Sequence, residues 1–317
     1  MNNIRKLEKK DLFKTSLFIG ISLIVVLTLS NVITGVVEAV LLLLGYSSSE
    51  INNFFFDTWT GYLFNTVVSA IVYTLPFLFI KIINKKPVYE TCSFNSPNNN
   101  LSVYCVGFVI GLAMVANIVT TVLNNFFATY FDYQAVQQSI GDNSYSGVFE
   151  FVFTLVNIAV FPALVEEFAF RGIILGTLRK YGDMPAILFS ATIFALFHGN
   201  FVQIPFAFIV GIGLGLTVVI TNSIWPAIVA HFLNNALAVV INYFSINSAI
   251  ISLLIFALVI AIGIISLVFL INKKAFRNIK KCSSSLSPFS RFLRMFYSPT
   301  TLIYVAIMLI VAYFNKA

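Results

Sequence analysis

The chain has 317 residues, 59% of them hydrophobic and 10% charged, with 34 Phe and 13 Tyr against 12 acidic residues. Soluble domains run at about 45–50% apolar and about 25% charged residues, so this composition lacks the polar surface to cover a water-soluble fold and excludes a soluble enzyme. The formal net charge of +7 comes from basic residues clustered at the ends of apolar runs; that pattern sets membrane topology, and no nucleic-acid partner is expected.

Read at about 20 residues per crossing, the apolar runs predict spans near 15–45, 59–82, 102–131, 148–178, 184–198, 203–221, 224–244, 250–271 and 301–315. The expected fold is all-α, a polytopic transmembrane bundle of eight or nine helices. The first, third and fourth runs exceed the bilayer thickness and predict tilt or kinks, whereas the fifth and ninth are short enough to be partial or re-entrant. Residues 1–14 are charged and lead into a long apolar run without a small-residue cleavage site, which reads as a retained cytoplasmic N-terminus. The organisation is then 15–147 for the N-terminal helices, 148–245 for a central core, and 246–317 for the last helices with a basic linker at 272–300.

A cytoplasmic N-terminus places Arg5 to Lys14, Lys81 to Lys86, Arg179 with Lys180, and Lys273 to Arg294 on one face. The loops 46–58 and 132–147 lack Lys and Arg but hold Glu50, Asp57, Asp132 and Asp142, as external loops do under the positive-inside rule. Segment 272–300 is basic, Ser-rich and carries Phe289, Phe292 and Phe296. Two readings of it stand level: an interfacial stretch on the anionic inner leaflet, or a plain cytoplasmic linker.

Several features carry no chemistry. Cys92, Cys105 and Cys282 share no CxxC spacing. Gly211, Gly213 and Gly215 match the small-residue spacing of close helix contact, and no strand followed by a Gly-rich loop supports nucleotide binding. Pro162, Pro205 and Pro226 cluster centrally and do not form the paired broken spans of a carrier.

Ionisable groups inside a span cost about 2.5–3.5 kcal/mol each on insertion scales, so each one is a functional hypothesis. In Val165-Glu166-Glu167-Phe168-Ala169-Phe170-Arg171, Glu167 and Arg171 stand at the i,i+4 spacing of an ion pair. Glu166, rotated about 100° from its neighbour, is left for chemistry; the bland alternative has both acids share Arg171. The chain has only two histidines, His198 and His231, each in an apolar segment. A lone membrane His is more often an interhelical hydrogen-bonder, but two beside a spare glutamate favour a site. Asn235 follows His231 at i+4 on one helix face, while Asn234 points elsewhere and is the weaker candidate. At ~1.5 Å rise per residue, Glu166 stands about 20 Å above Arg179, His198 about 21 Å above Met184 and His231 about 12 Å above Ser223, depths compatible with convergence. Glu38 and Glu150 lie toward outer span ends; Glu150 reads as structural, Glu38 more weakly so, with the bundle interior as its alternative.

The run Glu166-Glu167-x-x-x-Arg171, then Phe194-x-x-x-His198, then His231-x-x-x-Asn235, resembles the three motifs of the CAAX protease and bacteriocin-processing (CPBP) family of intramembrane proteases, formerly the abortive-infection family. The resemblance covers about residues 150–245; the last span and its basic linker read as an appendage. It implies a type II CAAX prenyl endopeptidase-like activity in which Glu166 activates water, His198 helps to hold it, and His231 with Asn235 stabilises the oxyanion. Glu167 and Arg171 are then supporting, and Phe194 packs beside the ring or the substrate. Asn235 is a neutral donor that needs no change of protonation for that role.

No cofactor is required by this reading, but a divalent metal such as Zn²⁺ on Glu166, His198 and His231 stays open, because two His and a Glu are a known ligand set. The expected partners are the lipid bilayer and a membrane-associated peptide or protein substrate, in a multi-pass protein of a bacterial cell membrane. The competing expectation is a non-catalytic bacteriocin-immunity or signalling scaffold, against which the complete motifs argue.

Overall fold

The computed structural model describes residues 2–84, 88–97, 99–131, 147–244 and 248–315. Among them there is helix and no strand, the outcome expected where lipid leaves each backbone N–H and C=O to be satisfied within its own segment. The helices are α1 (Asn2–Leu43), α2 (Ser48–Asp57), α3 (Trp59–Asn84), α4 (Asn99–Phe131), α5 (148–178), α6 (Asp183–Phe197), α7 (Gln203–Thr221), α8 (Trp225–Tyr243), α9 (Ala249–Asn272), α10 (Pro288–Met295) and α11 (Pro299–Phe314). Parts of the predicted outer loop, with Asp132 and Asp142, lie outside the described residues, as do Lys85, Lys86, Lys316 and the side chains of Glu150 and Lys81.

Seven helices are long and apolar enough to cross a membrane, or eight if α10 and α11, bent by 74°, form one span. The chain is a multi-pass membrane protein. All nine predicted apolar runs are helical, but the fifth is not a full crossing. At 15 residues α6 reaches about 22 Å, short of a ~30 Å hydrocarbon layer. Eleven of those residues are buried, so protein surrounds α6 and it need not match the bilayer. Its end is set by Gly199, whose φ of +57° lies where glycine is favoured.

Small residues set the spacing around this centre. Gly211 abuts the Ala191 backbone, Gly215 abuts Ile187, and Gly213 meets Leu112 and Val109, so α7 lies close against α6 on one side and α4 on the other. A Cβ at Gly111 would collide with the Gly263 backbone, and this contact lets α4 and α9 pack side by side.

The C-terminal region is not an appendage. Tyr304 and Met308 of α11 belong to the main core, Thr300 and Thr301 donate to the Leu17 and Ser16 carbonyls at 2.9 and 3.1 Å, and Asn315 Nδ2 donates to the Gly199 carbonyl at 2.9 Å. These contacts link residues 116 to 285 positions apart, which no local pattern encodes. Segment 272–300 is not a plain linker either. The Lys280 N–H donates to Asp183 Oδ2 at 2.8 Å, Cys282 Sγ to the Lys180 carbonyl at 3.2 Å, Ser285 to Glu8 at 3.2 Å, and the Arg291 guanidinium to the Tyr181 carbonyl. It straps the start of α1 to the turn between α5 and α6.

Candidate active site

Helix α5 is not a uniform α-helix. Two π-helical stretches, Val156–Val160 and Glu167–Leu175, flank one α turn, Phe161–Glu166. Part of the cause is Pro162, which lacks the N–H that an α-helix would direct at the Ile158 carbonyl. Asn235 of α8 supplies the donor instead, Nδ2 to the Ile158 oxygen at 3.0 Å. The opposite end of the same amide accepts from Asn234 Nδ2 at 3.0 Å. A carbonyl can only accept, so the orientation of the Asn235 amide is settled by its partners. Asn235 also lines the cavity described below.

The two adjacent carboxylates have different surroundings. Glu167 is buried, and its Oε1 takes Arg171 Nη1 at 2.8 Å and His231 Nδ1 at 2.9 Å. Arg171, also buried, completes its contacts with the Gly211 carbonyl at 3.4 Å and the face of Phe194, 4.1 Å from the ring centroid. Glu166 retains 16% side-chain exposure, and its nearest basic group is His231 Nε2 at 3.8 Å, too far for a hydrogen bond. The alternative in which both acids share Arg171 is therefore not what forms: the guanidinium pairs with Glu167.

His198 caps the C-terminus of α6, with Nδ1 2.9 Å from the Phe194 carbonyl. Because that oxygen cannot donate, Nδ1 carries the hydrogen, and a neutral ring exposes the Nε2 lone pair. Phe194 stands edge-on to both imidazoles, at 5.0 Å from His198 and 5.9 Å from His231, and fixes their separation.

These groups surround a cavity of about 300 Å³. Its polar side is Asn157, Glu166, His198, His231, Asn234 and Asn235; its apolar side is Ile158, Pro162, Phe194 and a row on α7, Phe206, Ala207, Val210 and Leu214. Glu166, His198, His231, Asn235 and Phe194 are thus brought together, with Glu167 and Arg171 behind them. Asn234, expected to point elsewhere, lines the cavity, because neighbouring amides on α8 reach one another across the 100° between them. Glu38 is exposed and apart from this wall. Asn157 was not anticipated. Nine residues at about 100° each place it opposite Glu166 on an α-helix, and the wider π turn between them brings it round.

The open question of metal was whether Glu166, His198 and His231 form a ligand set. Among the described residues no group of three His, Cys, Asp or Glu side chains is arranged to hold an ion. Both Nδ1 atoms are hydrogen-bonded to protein acceptors, so each ring has only its Nε2 to present to the cavity.

Residues 148–237 fit the family described as type II CAAX prenyl endopeptidase Rce1-like, a segment that contains all three motifs and bears out the CAAX-protease resemblance. No curated protein and no solved structure matches the chain.

Proposed function

We propose that this chain, whose residues 148–237 match the Rce1-like family, is an intramembrane endopeptidase that hydrolyses a peptide bond of a membrane-associated peptide or protein through a Glu166-activated water. The observation that carries this reading is the separation of the two acids: Glu167 is held by Arg171 and His231, while Glu166 faces the cavity without a cation in hydrogen-bond contact.

A water in the cavity donates one proton toward Glu166 and the other toward the His198 Nε2 lone pair. Glu166 removes a proton as the water oxygen bonds to the scissile carbonyl carbon. The carbonyl oxygen becomes an oxyanion and accepts an N–H of Asn235. His231, with Nδ1–H on Glu167, has a second N–H to offer from Nε2 only as the imidazolium, whose charge the two carboxylates balance. As the C–N bond breaks, Glu166 returns its proton to the departing amine and the oxyanion re-forms the carbonyl, leaving a carboxylic acid and an amine; the acid's remaining proton then passes to the amine, giving a carboxylate and an ammonium. The apolar α7 wall suits a hydrophobic substrate side chain.

The same reading places the basic end in the cytoplasm of a bacterial cell, with the protein in its cell membrane; the Lys- and Arg-free outer loops support it. The test is cleavage of membrane-associated peptides by purified protein in detergent, comparing wild type, Glu166→Gln and His231→Ala with and without a strong chelator. Cleavage lost in both variants and indifferent to chelation is expected. Cleavage retained by Glu166→Gln overturns the assignment, and chelator sensitivity reversed by Zn²⁺ overturns the metal-free mechanism.

A further inference from the structure

The short helix α10 is amphipathic in an unusual sense. Its buried positions are Arg291 and Met295, and the stripe it turns outward is apolar: Phe289 at 68% exposure, Leu293 at 36% and, just beyond the helix, Tyr297 at 56%. These three follow at i, i+4 and i+8, one helix face. The helix is not free to rotate and hide them. Arg291 donates to the Tyr181 carbonyl, Met295 is fully buried, and Phe296 packs on Phe189 with centroids 4.7 Å apart.

Two further observations identify what covers the stripe. The 74° bend between α10 and α11 turns α10 nearly across the direction of α11, the geometry of a helix laid along a membrane plane beside a span. The segment 273–298 contains seven Lys or Arg and no Asp or Glu, and Lys273, Lys274, Arg277, Lys280 and Lys281 are exposed. A water-facing helix with this apolar stripe would leave hydrophobic surface wet, while a partner without negative charge would leave the cations unmatched.

We infer that α10 and the strap before it form a docking surface for an acidic phospholipid leaflet, with Phe289, Leu293 and Tyr297 entering the headgroup–acyl boundary and the Lys/Arg cluster engaging lipid phosphates. The surface is independent of the cavity chemistry. It places the strap, and through Asp183 and Tyr181 the turn between α5 and α6, in direct contact with the lipid surface.

The chain has two Trp, Trp59 and Trp225; with both changed to Phe, Phe289→Trp or Leu293→Trp in the full chain provides a reporter. The variants are placed in nanodiscs of phosphatidylcholine, with or without phosphatidylglycerol, whose acyl chains are brominated. The expected result is blue-shifted emission from both reporters, quenched by the brominated chains more strongly when phosphatidylglycerol is present. Equal quenching in the two lipids overturns the acidic-headgroup assignment. Water-like, unquenched emission from both reporters overturns the docking surface itself.

Discussion

Replacing Glu167 by Leu and replacing Glu166 by Gln are expected to damage the protein in different ways, although the residues are adjacent. Glu167 and Arg171 have fully buried side chains joined at 2.8 Å. Removing the carboxylate leaves the guanidinium in the core with the Gly211 carbonyl and the Phe194 face as its remaining contacts. Breaking a buried pair from one side costs about 3–5 kcal/mol, because a charge is left without its partner, whereas exchanging both partners for apolar side chains is often near neutral. Glu167→Leu should therefore lower stability by that amount, and Glu167→Leu with Arg171→Met should recover most of it. Glu166 is partly exposed and has no ion pair inside 3.8 Å, so Glu166→Gln should change stability by less than about 1 kcal/mol while abolishing cleavage. Denaturant titration in mild detergent, run beside a peptide-cleavage assay, measures both quantities. If Glu166→Gln destabilises as much as Glu167→Leu, or the double variant is no better than Glu167→Leu alone, the division of the two acids is wrong.

Other substitutions test separate links. Asn235→Ala removes the proposed oxyanion donor and should lower kcat by about 10²–10³ with a smaller effect on KM; a KM effect alone would remove Asn235 from the reacting centre. Gly263→Leu forces α9 away from α4 at the Gly111 contact and should cost about 1–3 kcal/mol or more, as overpacking does, read as a lowered unfolding midpoint. Arg291→Ala deletes the bond to the Tyr181 carbonyl and should speed proteolysis within 280–290 in detergent, an effect absent if the strap is held by its other contacts alone.

What could be read from the residues in order was whatever a helix makes local. The Glu167–Arg171 pair follows from i,i+4 spacing, and the glycines of α7 announced close packing by size. Nine apolar stretches are nine helices, yet hydropathy alone could not distinguish a helix surrounded by lipid from one surrounded by protein, and only its short length marked α6 as a partial or re-entrant span. Convergence of Glu166, His198, His231 and Asn235 was compatible with their depths but rests on rotations that sequence does not give. Asn234 and Asn157 were missed because each depends on a neighbour or a local change of pitch. The strap and the docking of α11 join the two ends of the chain, where no periodicity applies.

The change of pitch in α5 has a consequence for tolerated changes of length. A π turn holds about one residue more than an α turn, so it behaves as a stored insertion. Deleting one residue within Val156–Val160 can be absorbed by return to α pitch, with the helix on either side kept in phase. The same deletion in the α turn Phe161–Glu166 has no such slack and rotates everything on one side by about 100°, carrying either the acids or the Ile158 wall away from the cavity. Sequences of this kind should accordingly vary in length before Phe161 more readily than between Pro162 and Glu166, and an alignment that opens a gap at the first position need not break the site.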